Sequence, residues 1–464
     1  MPTHEHLTVL RLFNAALLIA AVFAVCSSSF AQTESPIISF NGDLDGATPA
    51  TTLIADSAGN YYGTAFSGGS YSGQPCSFYG CGIVFELSPN TSGGWTESVL
   101  YAFTGGADGA NPAAGLVFDS EGNLYGTTSA GGLVTSGCNN SGCGTVFEIS
   151  PSSSGFWTET TLYKFKGGND GWYSEAPVTF DAAGNLYGTT STGGPGKDCT
   201  SGLGCGEVFK LTPNGAGGWN YSVVHFFSNG KDGGRPYSGV AIDNAGNIFT
   251  SASQGGISAK CIESGPGCGT VDEFSPSGTG YTLRVLHTFT GLQDGWFPQG
   301  GLALDSSGNI YAPVQEGGHK TSACQSDSCG VVLQLTPNGA GGYTPSVAHS
   351  FTGGADGYGP TSNLTVTSSG VLYGAAYGAP SRAPLNCFGP CGFIYKLTPT
   401  GTGSWTESVV YAFTGGTDGG GPGWFSGVTV DSSGHIFGTV QEFGLAGGCS
   451  SFGNGCGVAY EITP

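Results

Sequence analysis

Two glutamates, Glu316 and Glu442, occupy equivalent positions in an internal repeat and are the residues best placed for acid–base chemistry. A glycosidase needs two carboxylates roughly 5–9 Å apart around a pocket, and two glutamates at one level of a repeat array could meet that requirement. The chain carries no Gly-x-Ser-x-Gly nucleophile elbow, zinc motif or phosphate-binding loop. We therefore expect no catalysis, cofactor or metal, and keep a polysaccharide-active hydrolase or lyase as the alternative.

A second group of residues departs from the repeat pattern and is rich in aromatic and polar side chains. Aromatic rings stack on sugar rings while amides and carboxylates bind the hydroxyl groups, and the same residue types dominate protein–protein contacts. The plain alternative is that these aromatics pack over neighbouring loops. The group consists of Trp172, Tyr173, Glu175, Arg235, Tyr237, Trp296, Phe297, Gln315, Tyr358, Trp424, Phe425 and Gln441.

The frame that must position these residues is a repeat of about 62 residues. Its clearest mark is a turn that resembles Gly-Asn-x-aromatic-Gly-Thr. In the second copy, four strand signals follow one another at 114–119, 124–128, 144–151 and 157–165, each bounded by turn residues. The turn glycines are Gly59, Gly122, Gly184, Gly246, Gly308, Gly370 and Gly434.

The two ends of the chain complete each other. Residues 37–40 align with the fourth strand of a unit, whereas residues 457–464 end directly after a third strand. Pairing the spare strand with the incomplete unit removes two exposed sheet edges. We predict an all-β, seven-bladed β-propeller with four antiparallel strands per blade, closed by the N-terminal strand, as a single domain over residues 32–464.

Strand direction decides which loops share a surface. First and third strands run one way and second and fourth strands the other, so second-to-third-strand loops and blade-to-blade turns share one side, here called the loop face. The opposite side is called the turn face. The departures from the repeat cluster on the loop face. We predict a non-catalytic propeller that binds a glycan or an extracellular protein there, or, as a further alternative, a purely structural envelope protein.

Repeated aspartates and histidines have a structural interpretation. An aspartate precedes glycine in each blade-to-blade turn, and Asp-Gly forms turns by itself; a ring of calcium sites is the alternative, although clustered oxygen ligands are missing. His225, His287 and His349 stand where other units have tyrosine, which favours strand positions. The aspartates are Asp45, Asp108, Asp170, Asp232, Asp294, Asp356 and Asp418.

Cysteines and the N-terminus indicate export. Residues 1–31 read as a cleaved signal peptide, with Arg11, an apolar run at 12–25 and the small-x-small site Ser29-Phe30-Ala31. Each later second-to-third-strand loop holds one cysteine pair, which predicts seven disulfides rather than metal sites. The predicted pairs are Cys76 with Cys81, Cys138 with Cys143, Cys199 with Cys205, Cys261 with Cys268, Cys324 with Cys329, Cys387 with Cys391 and Cys449 with Cys456.

The amino-acid composition limits the classes of binding partner that the protein can have. A net charge of −20 with only 12 Lys+Arg excludes a basic nucleic-acid-binding surface and disfavours anionic membranes. The 86 glycines and 12% aromatic residues suit short strands joined by tight turns, not disorder. No segment after the leader offers the ~20 apolar residues of a membrane span. We expect a secreted or periplasmic monomer.

The repeat residues at 124–128, 144–151 and 101–112, followed by Gly115-Leu116, resemble the bacterial choice-of-anchor tandem repeat GloVer-containing proteins. Similar runs occur in all seven units. The resemblance implies an exported propeller-like repeat protein without an established reaction and with an interchangeable surface anchor. No anchor segment precedes Pro464, so we expect release to the periplasm or the medium. The order of turn and strand residues is also similar to NHL-type propellers, an analogy of fold only.

Overall fold

The computed structural model shows seven antiparallel sheets of four or five strands arranged as a propeller. It describes residues 32–49, 51–69, 76, 80–138, 141–196, 199, 203–256, 261, 267–324, 328–378, 380, 391–401, 403–423, 426–444, 449 and 455–464. Within these residues, no helix is long and apolar enough to cross a membrane.

Each blade begins with a short inner strand and ends with a long outer one, as the repeat predicts. Blade 1 contains β2 (Ala47–Pro49), β3 (Ile54–Ala55), β4 (Tyr61–Ser67), β5 (Ile83–Pro89) and β6 (Trp95–Ala102). Blade 2 contains β7 (Val117–Phe118), β8 (Leu124–Thr128), β9 (Thr145–Pro151) and β10 (Trp157–Lys164), with a 3-10 helix at Ser136–Cys138. Blade 3 contains β11 (Thr179–Phe180), β12 (Leu186–Thr190), β13 (Glu207–Pro213) and β14 (Trp219–Phe226).

The remaining blades repeat this order. Blade 4 contains β15 (Ala241–Ile242), β16 (Ile248–Ala252), β17 (Thr270–Ser277) and β18 (Gly280–Thr288). Blade 5 contains β19 (Trp296–Pro298), β20 (Ala303–Leu304), β21 (Ile310–Glu316), β22 (Val331–Pro337) and β23 (Tyr343–Ser350). Blade 6 contains β24 (Tyr358–Pro360), β25 (Thr365–Val366), β26 (Leu372–Gly378), β27 (Phe393–Gly401) and β28 (Ser404–Ala412). Blade 7 contains β29 (Val428–Val430), β30 (Ile436–Val440), β31 (Val458–Thr463) and, from the chain start, β1 (Thr33–Ser39).

The predicted closure is confirmed, because β1 pairs antiparallel with β31. Ile38 faces Ala459 and Ser39 faces Val458 in the register, and the Phe40 N–H donates to the Gly457 carbonyl at 3.1 Å. The contact between the last and first blades, here called the seam, uses the same kind of hydrogen bond as the contacts between consecutive blades. Thr439 Oγ1 donates to the Thr51 carbonyl at 2.9 Å, just as Thr64 Oγ1 donates to the Ala114 carbonyl.

The core lies between blades. In blade 2, Val146 and Phe147 point to opposite sides of β9 and both are fully buried, because a neighbouring blade covers each side. The glycine in the Leu-Tyr-Gly-Thr strand makes room for this packing. A Cβ at Gly126 would lie 2.6 Å from the Phe147 ring, so this blade requires glycine opposite that ring.

The turn interpretation of the aspartates is also borne out. Asp108 accepts hydrogen bonds from Thr104 N and Oγ1 at 2.7 and 2.6 Å, and from the Tyr101 hydroxyl. His225 replaces that tyrosine in β14, and its Nε2 lies 3.0 Å from Asp232 Oδ2. These histidines therefore secure turns.

Six of the seven predicted disulfides form among the described residues, and the paired cysteines are buried. They join Cys76 to Cys81, Cys138 to Cys143, Cys199 to Cys205, Cys261 to Cys268, Cys324 to Cys329 and Cys449 to Cys456. Cys387, the predicted partner of Cys391, lies outside the described residues. Each bridge ties a long loop-face loop to its blade, and such bridges are typical of oxidising, extracytoplasmic compartments.

The closure makes a testable prediction. Phe40 is 1% exposed and packs edge-on against Phe85, 5.3 Å between ring centroids, so truncation leaves a cavity at the seam. We expect Phe40→Ala to lower the free energy of unfolding by about 3–5 kcal/mol in a denaturant titration. Phe156→Ala is the matched control, because Phe156 is 75% exposed and its loss should change little. Equal effects of the two substitutions would contradict the role given to the closing strand.

Candidate ligand-binding site at the loop-face mouth

Each blade-to-blade turn enters the ring through a residue with a left-handed backbone conformation. The residue after the Asp-Gly dipeptide pairs with the extension of the second strand, and the next residue has a positive φ in all seven blades. For a residue with a side chain this conformation costs roughly 1–3 kcal/mol and needs support from its surroundings. These residues and their φ angles are Thr48 (53°), Asn111 (57°), Tyr173 (58°), Arg235 (56°), Phe297 (66°), Gly359 (71°) and Gly421 (62°), and the five that are not glycine are strained.

The cysteine loops provide this support. The Arg235 N–H donates to the carbonyl of Cys205 at 2.7 Å, and the Phe297 N–H donates to that of Cys268 at 3.1 Å. In both cases the acceptor is the second cysteine of the preceding blade. The disulfides therefore help to position the strained residues that open onto the central channel.

Deeper in the channel, the blades meet at a narrow waist. Asn363 Oδ1 accepts the Gly301 N–H at 2.7 Å, and Asn363 Nδ2 donates to Thr52 Oγ1 at 3.3 Å. A Cβ at Gly239 would lie 2.8 Å from the Pro177 carbonyl oxygen. A cavity of about 130 Å³ lies along this wall, between Pro177 and Asn363.

Between the strained residues and the waist, four consecutive blades carry large or polar side chains at one repeat position. These residues are Glu175, Tyr237, Gln299 and Thr361, where blade 2 has Ala113. Gln299 and Thr361 are each only 1% exposed. Neither the oxygen nor the nitrogen of the Gln299 amide has a hydrogen-bond partner among the described residues, and the Thr361 hydroxyl also has none there. Such groups normally bind water or a ligand, because leaving them unpaired costs about 1–3 kcal/mol.

Neighbouring charges form one electrostatic group. The Arg235 guanidinium carbon lies 5.5 Å from the Tyr237 ring centroid, and Arg235 Nε is buried without a hydrogen-bond partner in the described part of the chain. Burial raises the pKa of Glu175 to about 7, although Arg235 pulls it down. Burial also raises the pKa of Tyr173 and of Tyr237; Arg235 opposes the shift of Tyr237 through its charge and a side-chain hydrogen bond, and Glu175 adds to both shifts. At neutral pH, Glu175 is therefore poised to gain or lose a proton.

These contacts and repeat positions define what we call the channel-mouth cluster. It joins residues from blades 3 to 6 at the loop-face end of the channel. Its members are Tyr173, Glu175, Arg235, Tyr237, Gln299 and Thr361.

A smaller crevice lies between blades 5 and 6. It brings together Gln315, Glu316 and Tyr358 from the predicted residues, with Ser328 and Tyr377. Ser328 donates a hydrogen bond to Glu316. The crevice has a volume of about 10 Å³, which holds roughly one water. It is too small for a sugar ring as it stands.

The expectation of an exposed aromatic platform needs one correction. Trp172 is 2% exposed and packs in the core between blades 2 and 3, against Tyr125, Phe165 and Val178. Its pairing with Thr192 turns the indole towards the neighbouring blade, so the packing alternative is the right one for this residue. Tyr173, the next residue, remains 37% exposed.

The other predicted residues fall in separate places. Trp296 is partly buried against the core of blades 4 and 5, and Phe297 is half-buried. Gln441 donates its N–H to the Gly421 carbonyl, and Glu442 lies beside Gly421 in blade 7. Glu316 and Glu442 therefore occupy different blades, and their convergence stays a prediction. Trp424 and Phe425 lie outside the described residues.

Sequence reasoning did not single out Gln299 and Thr361. The signal was present, because aligning the repeats places alanine, glutamate, tyrosine, glutamine and threonine in one column. Among the described residues, no group of three or more His, Cys, Asp or Glu side chains could hold a metal ion.

The fold and the site together define a β-propeller with a polar mouth on one face. A model of the Gloeobacter/Verrucomicrobia repeat matches residues 22–201 and 199–454, and the chain belongs to this repeat family. No curated protein matches the chain.

Solved structures resemble the chain at low identity. An ulvan lyase, a polysaccharide lyase solved with bound -[GlcA(1-4)Rha3S]-, has a TM-score of 0.51 and 10% identity, covering 88% of this chain and 93% of its own. A second ulvan lyase structure gives the same values. A protein of unknown function from Dyadobacter fermentans has a TM-score of 0.43 and 12% identity, covering 93% of this chain and 98% of its own.

The raised pKa of Glu175 has a measurable consequence. The folded protein holds this proton more tightly than the unfolded chain, so Glu175 lowers stability as pH rises from its ordinary 4.5 through about 7. We expect the difference in unfolding free energy between Glu175→Gln and the unchanged protein to grow over this range, in favour of the variant. Arg235→Gln should raise the Glu175 pKa further, as followed by carboxyl NMR. Titration of Glu175 near 4.5 would contradict the assignment.

Proposed function

We propose that this protein is an exported carbohydrate-binding propeller and that the channel-mouth cluster is its binding site. The observation that carries the proposal is the Gln299 amide, which is buried at the mouth with both polar atoms unpaired by the described residues. A sugar hydroxyl both donates and accepts hydrogen bonds, so it can pair with the amide oxygen and nitrogen together. Tyr173 and Tyr237 supply rings for stacking on a sugar face.

A protein partner is less well supported by the same surface. Interface hot spots are exposed tryptophan, tyrosine and arginine anchors, and Trp172 is buried. Of the described aromatic residues in the predicted group, only Tyr173 is exposed, and the others are buried or half-buried. A recessed mouth lined by polar groups suits a small, hydroxyl-rich ligand better than a flat protein surface.

Export is part of the proposal. The disulfides indicate an oxidising compartment. Residues 1–31 have the composition of a signal peptide and are proposed to be removed before the protein acts.

Gln299→Met tests the binding site, because it keeps the side-chain volume and removes the unpaired amide. We expect stability to stay equal or rise by about 1–3 kcal/mol, since a buried polar group without a partner is lost. Binding on a glycan array, followed by titration of the best ligand, should weaken roughly tenfold or more.

Gln334→Met is the matched control on the turn face. The Gln334 Oε1 accepts a hydrogen bond from Trp405 Nε1 at 3.2 Å, so this variant should lose stability and keep glycan binding. Unchanged glycan binding by Gln299→Met would contradict the proposed site. A full panel without any glycan ligand would instead favour the purely structural role.

A lyase is the second candidate, and the grouping of Glu175, Arg235 and Tyr237 favours it. In a β-elimination, Glu175 would take the proton from the carbon beside a uronate carboxylate while Arg235 stabilises the charge. The electron pair would form a carbon–carbon double bond, the glycosidic C–O bond would break, and the Tyr237 hydroxyl would protonate the leaving oxygen. No oxidant or reductant is needed.

Turnover distinguishes this candidate from binding alone. With uronate-containing polysaccharides, a lyase releases products whose new double bond absorbs ultraviolet light. We expect such a signal to disappear in Glu175→Gln, which removes the base but keeps the side-chain shape. The absence of ultraviolet-absorbing product across polysaccharides that the protein demonstrably binds would exclude the lyase and leave the binding function.

A further inference from the structure

We infer that the glycan recognised at the channel mouth carries a carboxylate, and that Arg235 is the residue that binds this carboxylate. This inference rests on the proposed function and names the chemical class of its ligand, a uronate-containing oligosaccharide. Three observations support it: the placement of Arg235, the protonation of the titratable groups beside Arg235, and the overall charge of the chain.

Arg235 is held rigidly at its backbone. Its N–H donates to Cys205, and its carbonyl accepts from Ser253 N at 3.3 Å and Ser253 Oγ at 3.0 Å. Pro236 follows and restricts the next φ angle. A positive φ at a bulky residue persists only where the surroundings impose it, which is common at ligand sites. The guanidinium therefore emerges from a fixed point at the mouth.

No other blade places a cation at this position. The equivalent residues are threonine, asparagine, tyrosine, phenylalanine and two glycines, so the repeat itself does not require arginine. Guanidinium binds carboxylate through two parallel hydrogen bonds. Nε is one of the donors used in such a fork, and Arg235 Nε is buried without a hydrogen-bond partner among the described residues.

The neighbours leave the positive charge available. Glu175 is the carboxylate in electrostatic contact with Arg235, and burial raises its pKa to about 7. The phenols of Tyr173 and Tyr237 also face this group, and their raised pKa values keep them neutral. Below neutral pH, Glu175 is protonated and Arg235 can pair with a ligand carboxylate instead.

The charge of the whole chain limits the ligand further. A net charge of −20 repels a dense polyanion at long range. A single recessed cation therefore suits a glycan with at most one carboxylate per sugar better than a heavily sulfated polymer. Added salt should screen the long-range repulsion between protein and ligand but leave the short-range pair of Arg235 and the ligand carboxylate. The affinity is therefore expected to stay constant or to rise with salt concentration. Binding through many phosphate-like contacts would instead weaken steeply as the salt concentration rises.

A matched pair of ligands tests the inference. Oligogalacturonate and its fully methyl-esterified form share the same sugar chain, and the ester replaces each carboxylate by an uncharged methyl ester. With the full-length exported protein at about pH 6, one unit below the Glu175 pKa of about 7, we expect the acid to bind roughly tenfold tighter than the ester. Arg235→Gln should abolish the preference for the acid, and Arg235→Lys should restore only part of it.

Controls separate this inference from the proposed function. Arg284→Gln is the matched arginine control, because Arg284 pairs with Glu273 and the Gly341 carbonyl away from the mouth; the preference should remain. At about pH 8, the acid should bind the unchanged protein more weakly, and Glu175→Gln should remove that pH dependence. Equal binding of acid and ester would overturn the role of Arg235 while glycan binding stands. Binding of neither form, nor of any arrayed glycan, would overturn both.

Discussion

The pairing of β1 with β31 is the contact on which the other blade contacts depend. A four-stranded blade buries its third strand on both sides only when a neighbour covers each side, and a ring gives every blade two neighbours. The first residues of the folded chain complete the last sheet, so Phe40 meets Phe85 and Thr439 reaches Thr51 across the seam. Closure also creates the central channel, and without it no residue of one blade would face those of the blades opposite.

The disulfide loops connect this frame to the candidate site. Cys205 accepts the backbone hydrogen bond that secures Arg235 at a positive φ, and Cys268 does the same for Phe297. A loop of glycine-rich sequence would hold such a strained residue poorly by itself. Local bridges therefore matter less for the fold, where packing between blades dominates, than for fixing the backbone at the mouth.

The polar groups at the mouth oppose stability. In the blade-to-blade turns the repeated aspartates have hydrogen-bond partners, as Asp108 does with Thr104 and Tyr101. One repeat position carries a half-buried carboxyl and phenol in blades 3 and 4 and a buried amide and hydroxyl in blades 5 and 6, and Gln299 keeps both amide atoms unpaired by the described residues. An alanine fills this position in blade 2 without such a cost. A polar group kept where alanine suffices supports the proposed ligand site.

The sequence by itself determined the ring: its blade number, strand order, closure, disulfide pairing where described and turn aspartates. These features follow from short-range patterns of turn glycines, alternating strands and adjacent cysteines such as Cys138 and Cys143, and each was repeated in nearly every unit. Only the tertiary structure decided that the Trp172 indole is core, that Gln299 is buried without a partner among the described residues, and that Arg235 lies beside Glu175. The direction of a side chain in a blade-to-blade turn depends on the neighbouring blade, about 62 residues away in sequence, and no local pattern encodes that contact.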